Sequence, residues 1–155
     1  MPANLRKLVL DYLTEAKLMS IATCKDSMPW AANAWYVHDD ELNLYFISRK
    51  NRRHSLELKE NSHIAGTITK PHVIGSGEKV RGIQFEGVAH EATGKTLEKA
   101  LRLYLAKYPT AQKIPLEMLE KPDFIAAFYV IHAKILVLFD EINFPEEPRQ
   151  ELRIR

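Results

Sequence analysis

The densest run of polar side chains is Ser48-Arg49-Lys50-Asn51-Arg52-Arg53-His54. It follows an apolar stretch, Leu42 to Ile47, that reads as a strand, and precedes Ser55 to Glu60, which reads as one or two helical turns. Guanidinium groups, a hydroxyl and the free N–H groups of a helix start together suit a phosphate, because Arg grips oxyanions in bidentate fashion and first-turn amides point outward. Composition by itself describes a solvated charged loop equally well. A third reading, contact with nucleic acid, is weakened by the balance of 22 Lys and Arg against 20 Asp and Glu, a net +2.

Other candidates carry less. Trp30, Trp35 and Tyr36 lie on or beside one expected strand, where they suit stacking on a planar ligand but also core or interface packing. His38, His54, His63, His72, His90 and His132 match no HxxxH or HExxH spacing, so no metal site is expected. Cys24 is the only cysteine, which excludes an internal disulfide and any CxxC pair and suits a reducing cytoplasm. It has no His near it in sequence and reads as a small apolar residue with no catalytic role. Gly75-Ser76-Gly77 lacks the GxGxxG pattern of a dinucleotide fingerprint.

The elements that must position these residues follow from periodicity. The 155 residues, 46% hydrophobic and 27% charged, suit one domain spanning 1–155. Leu5, Leu8, Val9, Tyr12, Leu13 and Ala16 mark one face of a helix opened by Asn4. Strands are expected over Leu18 to Thr23, Trp30 to Val37 and Leu42 to Ile47, with turns at Lys25-Asp26-Ser27 and His38-Asp39-Asp40. Next come a strand over Ile64 to Thr69, a connection over Pro71 to Glu78, and a strand over Val80 to Ala92 kinked or bulged at Gly82 or Gly87. A second helical face runs from Leu97 to Tyr108 and stops at Pro109, and a short helical piece is expected around Leu116 to Leu119. A strand over Ala126 to Phe139 and an edge-pairing tail, Glu151 to Arg155, complete a mainly β (α+β) chain. A small antiparallel barrel with helices against its openings is the economical architecture. The apolar region Phe124 to Phe139 is shorter than the roughly 20 residues of a membrane span and contains His132 and Lys134, so no membrane association is expected.

Motif order then becomes specific. Ala32-Asn33-Ala34-Trp35-Tyr36, Leu44-Tyr45-Phe46-Ile47-Ser48, Arg52-Arg53-His54, Asn61, Ile64-Ala65-Gly66-Thr67 and Arg81-Gly82-Ile83-Gln84-Phe85-Glu86-Gly87 resemble the FMN-binding split barrels related to pyridoxamine 5'-phosphate oxidase, and among them a small bacterial branch. The resemblance implies a small antiparallel split β-barrel with flanking helices, and FMN in a groove shared by a homodimer. It places Asn33, Ala34, Trp35 and Tyr36 beside the isoalloxazine and ribityl chain, with Ile47 and Ser48 at the next strand end. Arg53 falls on the family's phosphate-binding Arg, in what reads as an exposed loop contributing little to folding, and Arg52 supports it. His54 stands where many members have Lys, a weaker charge at pH 7. Gly82 stands where the oxidase has a flavin-contacting Gln, which makes Gln84, two residues on, the substitute candidate. The tail Pro148 to Arg153 lacks the oxidase's Trp and its Arg-Leu pattern, so that specific activity is not expected. The implied function is an FMN-dependent oxidoreductase or flavin reductase, with NAD(P)H as candidate electron donor, a small-molecule substrate and no assigned catalytic residue. The alternative is a non-catalytic flavin- or haem-binding module.

Overall fold

A computed structural model describes residues 4–155 of the chain. Helix α1 (Leu5–Glu15) starts where Asn4 Oδ1 accepts the Lys7 amide at 3.1 Å, and it buries Val9, Tyr12 and Leu13. Three strands follow as a meander, β1 (Leu18–Lys25), β2 (Met28–His38) and β3 (Leu44–Arg49). Asp26 and Ser27, with φ of 50° and 62°, make the tight two-residue turn between β1 and β2.

The turn after β2 is longer than expected. Leu42, read above as a strand start, sits in it with φ 69° and a buried side chain, and β3 begins only at Leu44. Asp39 organises this turn: Oδ1 accepts the amides of Glu41 and Asn43 at 3.0 and 2.9 Å, and Oδ2 accepts Tyr45 Oη and Lys99 Nζ at 2.8 and 2.7 Å. Burial alone would raise the Asp39 pKa, but hydrogen bonds from Asn43, Lys99 and Tyr45 outweigh it and hold the carboxyl at about 2.

Helix α2 (Arg53–Glu60) leads into β4 (His63–Ile68) and β5 (Arg81–Glu91). Then come α3 (Gly94–Lys107), α4 (Leu116–Leu119), β6 (Ala126–Asp140) and β7 (Arg149–Arg153). All strand pairs are antiparallel, in the order β3-β2-β1-β4-β5-β6-β7. A further β3–β6 pairing closes the first six strands into a barrel. One edge of β6 pairs with β3 over residues 126–131 and with β7 over residues 135–139, so the sheet divides along this single strand. The fold is therefore the mainly antiparallel split barrel with flanking helices.

Alternation along the strands separates two apolar clusters. Met19, Ile21, Tyr36, Phe46, Ile83 and Tyr129 fill the barrel beneath α1. Val37, Tyr45, Phe128 and Val130 point outward and are covered by Leu97 and Ala100 of α3 and Leu119 of α4. Among the described residues no helix is long and apolar enough to cross a membrane.

The bulge expected in β5 lies in its partner instead: Glu86 faces Ile135 and Gly87 faces Ala133, so the extra residue is Lys134 of β6, opposite Gly87, and β5 keeps an unbroken register with β4. A Cβ at Gly87 would lie 2.2 Å from the His132 carbonyl oxygen, a backbone atom with nowhere to go, whereas one at Gly82 would meet Thr69 Cγ2 at 3.0 Å. Gly87→Ala should thus lower the melting temperature well beyond Gly82→Ala in thermal unfolding followed by circular dichroism. Equal losses would show that close approach at the bulge does not constrain the barrel.

Candidate functional site

Chain direction at the end of β3 sets the first part of the site. Arg49 O accepts the Arg52 amide at 3.2 Å, and Arg52 O then accepts the Leu56 amide at 3.0 Å, which turns the basic run straight into α2. Arg52 is the N-cap residue and its side chain makes no capping hydrogen bond, so no side-chain acceptor from the N-cap serves the first-turn amides of Arg53, His54 and Ser55. Arg52 is exposed and has no ion pair among the described residues.

Arg53 is not the free loop residue expected. It is the first residue of α2, its Nε donates to Glu57 Oε1 at 2.8 Å, and its guanidinium lies 4.4 Å from the Trp30 ring centroid. Glu57 is 4% exposed and also accepts Thr23 Oγ1 of β1 at 2.5 Å. The Thr23 hydrogen bond, then that from Arg53, hold the Glu57 carboxyl below its ordinary pKa. Removing Arg53 strips a buried carboxylate of its cation, which corrects the expectation that this residue matters little to folding. A groove of about 470 Å³ runs beside this pair, lined by Lys25, Asp26, Met28, Asn51, Arg53 and Leu56.

Ser48 and His54 meet directly, Oγ to Nε2 at 2.7 Å. Burial, then the charge of Arg52, lowers the His54 pKa, so the imidazole is neutral at pH 7 and supplies hydrogen bonding rather than charge. The Ser55 and Tyr129 hydroxyls are both buried and neither makes a hydrogen bond; burial raises the Tyr129 pKa, which the nearby Ser55 hydroxyl offsets only in part.

The β2 residues divide by parity. Asn33 and Trp35 face outward, while Ala34 and Tyr36 pack toward the core. Tyr36 is fully buried and its hydroxyl donates to Leu13 O at 2.8 Å, so its ring cannot stack on a ligand as the exposed Trp30 and Trp35 can. Trp35 instead heads an aromatic row with Tyr108, at 6.3 Å between ring centroids, and Tyr104, a further 4.9 Å on. Sequence reading missed Lys107 in this region. Its Nζ donates to Leu13 O and Ala16 O at 3.1 and 2.6 Å, 4.4 Å above the Tyr36 ring, and burial lowers its pKa to about 8.

Ile47 turns its side chain toward α3, leaving its main chain beside Ser48. Gln84 is exposed on β5, opposite Thr67, which is opposite Ser20, which is opposite Asn33. Asn33 and Gln84 therefore end a polar row across four strands, roughly 14 Å apart at ordinary strand spacing. Ser48, Arg52, Arg53 and His54 are thus gathered at α2, while Gln84 stands across the barrel's outer face. The β1–β4 pairing sets Ala22 opposite Ala65 and carries Cys24 and His63 to one cavity of about 490 Å³, a neighbour for Cys24 that sequence distance concealed. No group of three His, Cys, Asp or Glu suited to a metal occurs among the described residues.

The Arg53–Glu57 pair makes a pH-dependent contribution. Glu57 has a depressed folded-state pKa, so its contribution is present above the ordinary carboxylate range and is lost as pH falls through the folded value. Arg53→Ala should lower the melting temperature by a few degrees at pH 7, and the gap from wild type should shrink as the pH drops below the carboxylate range. Melting curves across pH check this, and a gap independent of pH would contradict the ion-pair role.

Residues 5–130 match the pyridoxamine 5'-phosphate oxidase family. A UPF0306 protein of Pasteurella multocida strain Pm70 is 30% identical over 105 residues, covering 67% of this chain and 69% of the relative. Among solved structures, a haem-binding protein from Mycobacterium smegmatis superposes with a TM-score of 0.70 at 13% identity, covering 92% of this chain and 55% of that one. The haem storage protein HutZ from Vibrio cholerae gives 0.65 at 12% identity, covering 84% of this chain and 91% of that one. At such identities the structural likeness speaks for the split-barrel fold alone. With the family match spanning α1 through the first part of β6, the chain belongs to the pyridoxamine 5'-phosphate oxidase family.

Proposed function

We propose that the chain binds FMN with its phosphate at the start of α2 and acts as an FMN-dependent oxidoreductase or flavin reductase, with NAD(P)H as electron donor. The observation that carries this reading is the N-terminus of α2, uncapped by a side chain and flanked by the unpaired Arg52 and by Arg53, in a chain of this family. The residues fit the group. Outward amides and the Arg52 guanidinium complement a phosphate dianion, the Ser48–His54 pair adds neutral hydrogen-bonding capacity, and Met28, Trp30 and Leu56 offer apolar surface beside them. Arg53 orients the approach from its place over Trp30 while its Nε stays with Glu57. Bound flavin supplies the hydride and electron transfer, and the protein's part is to hold it and shape access.

We further propose that the working unit is a homodimer. Asn33 and Gln84 lie across the barrel's outer face from α2, so a groove combining them with the α2 site takes its second wall from another copy.

A haem-binding module is the second reading. His63 Nδ1 and His132 Nδ1 sit 2.9 Å from Asn61 Oδ1 and Asn43 Oδ1, an arrangement in which either Nε2 would be able to hold a haem iron. The absorption spectrum of the purified protein separates flavin bands from a Soret band, and bleaching by NAD(P)H separates a reductase from a passive flavin carrier.

Arg52 gives the clean test of the phosphate assignment, since it has no fold-supporting partner. Arg52→Ala should weaken FMN about tenfold to a hundredfold, the scale of one charge-assisted hydrogen bond, with an unchanged melting temperature. Riboflavin, which lacks the phosphate, should be affected far less. Equal losses for the two ligands, or none, would remove the phosphate from this helix.

A further inference from the structure

Two cavities lie side by side on the outer side of β3, where α3 and α4 cover the barrel. The outer one, about 420 Å³, is lined by Arg49, Lys113, Pro115, Met118, Phe124 and Ile125. The inner one, about 170 Å³, lies under α3 among Ile47, Leu101, Tyr104, Leu105 and Phe128. Gln112 and Ile114 line both, so the smaller, more apolar cavity adjoins the larger across these two residues. We propose that this groove binds an amphipathic carboxylate such as a medium-chain fatty acid, its headgroup on Arg49 and Lys113 and its chain in the adjoining apolar cavity.

Charge complementarity commits the site to an anion. Arg49 and Lys113 have no ion pair among the described residues, and no Asp or Glu lines either cavity. Each of the other three cavities that bring cations near apolar surface contains its own carboxylate: Glu86 in one, Asp26 and Glu57 in the second, Glu86 and Glu151 in the third. Unpaired guanidinium and ammonium groups at the mouth of an apolar slot match a ligand with one carboxylate and one hydrocarbon tail. The walls suit a tail: Met118 and Ile125 are exposed apolar side chains on the outer cavity, and Leu101, Leu105 and Phe128 continue the surface inward. Their frame is pinned, with Arg49 paired opposite Ala126 in the sheet and the Lys50 amide donating to Ile125 O at 2.9 Å.

The site is separate from the α2 site and does not depend on the flavin reading. Ser48 and Arg49 are successive strand residues and so project to opposite faces of β3. Ser48 turns to His54, and Arg49 turns to the groove.

Calorimetric titration of the full chain with sodium decanoate below its micellar range tests the proposal, with decylamine and acetate as comparison ligands. Decanoate should bind at one site per chain, decylamine at least about tenfold more weakly, and acetate not measurably. The double variant Arg49→Ala with Lys113→Ala should weaken decanoate about tenfold or more while keeping its circular dichroism spectrum. Ile114→Trp, which adds bulk where the two cavities adjoin, should abolish binding; if that variant does not fold, the cation variant decides alone. Equal affinity for decanoate and decylamine, no decanoate binding at millimolar concentration, an unaffected cation variant, or displacement of decanoate by FMN would each overturn the proposal.

Discussion

Every site in this molecule depends on how β6 shares one edge between two partners. Its first residues pair with β3 and its later ones with β7, while β5 runs along the other edge past the Lys134 bulge opposite Gly87. Closure through β3 fixes Ser48 opposite Ala127 and Arg49 opposite Ala126, and so fixes where the chain leaves the barrel and with what aim. From that exit only Lys50, Asn51 and Arg52 turn the backbone before the helix starts at Arg53. The cations therefore cluster at the barrel's rim because the β3–β6 register puts the strand end there.

Within that cluster the cations divide their labour by partner. Arg53 is committed to Glu57, which Thr23 holds from β1, so this chain of three side chains ties α2 to the barrel wall. Lys50 is likewise occupied, by Glu91 at 3.2 Å and by the Pro122 carbonyl at 3.1 Å. Arg52 toward α2 and Arg49 toward α3 keep their charge for something else. Buried polar groups that have found partners stabilise the fold, and exposed cations that have none are the ones a ligand can recruit.

Much of the fold was legible because its signals are local. The i, i+3, i+4 pattern and Asn4 located α1, and two-residue alternation located the strands to within a few residues. Leu42 was misplaced because an apolar side chain can be buried from a turn as well as from a strand, and only the Asp39 hydrogen bonds make that turn. At the site, the Ser48 to His54 run was visible, and the i,i+4 spacing of Arg53 and Glu57 was available as a sign that Arg53 is helical and paired. The burial of Tyr36 and the row from Asn33 to Gln84 were not visible, since both depend on strand parity and register across the sheet. Cys24 and His63 came together for the same reason.

If the first turn of α2 reads a phosphate, its amides must distinguish FMN from riboflavin. Amide chemical shifts of ¹⁵N-labelled protein, followed during titration with FMN and then with riboflavin, test this without any substitution. The Arg53, His54 and Ser55 amides should move strongly with FMN and little with riboflavin, because only FMN brings an anion to those N–H groups. Equal movement with both ligands, or FMN-induced shifts confined to the outer face of β4 and β5, would contradict it.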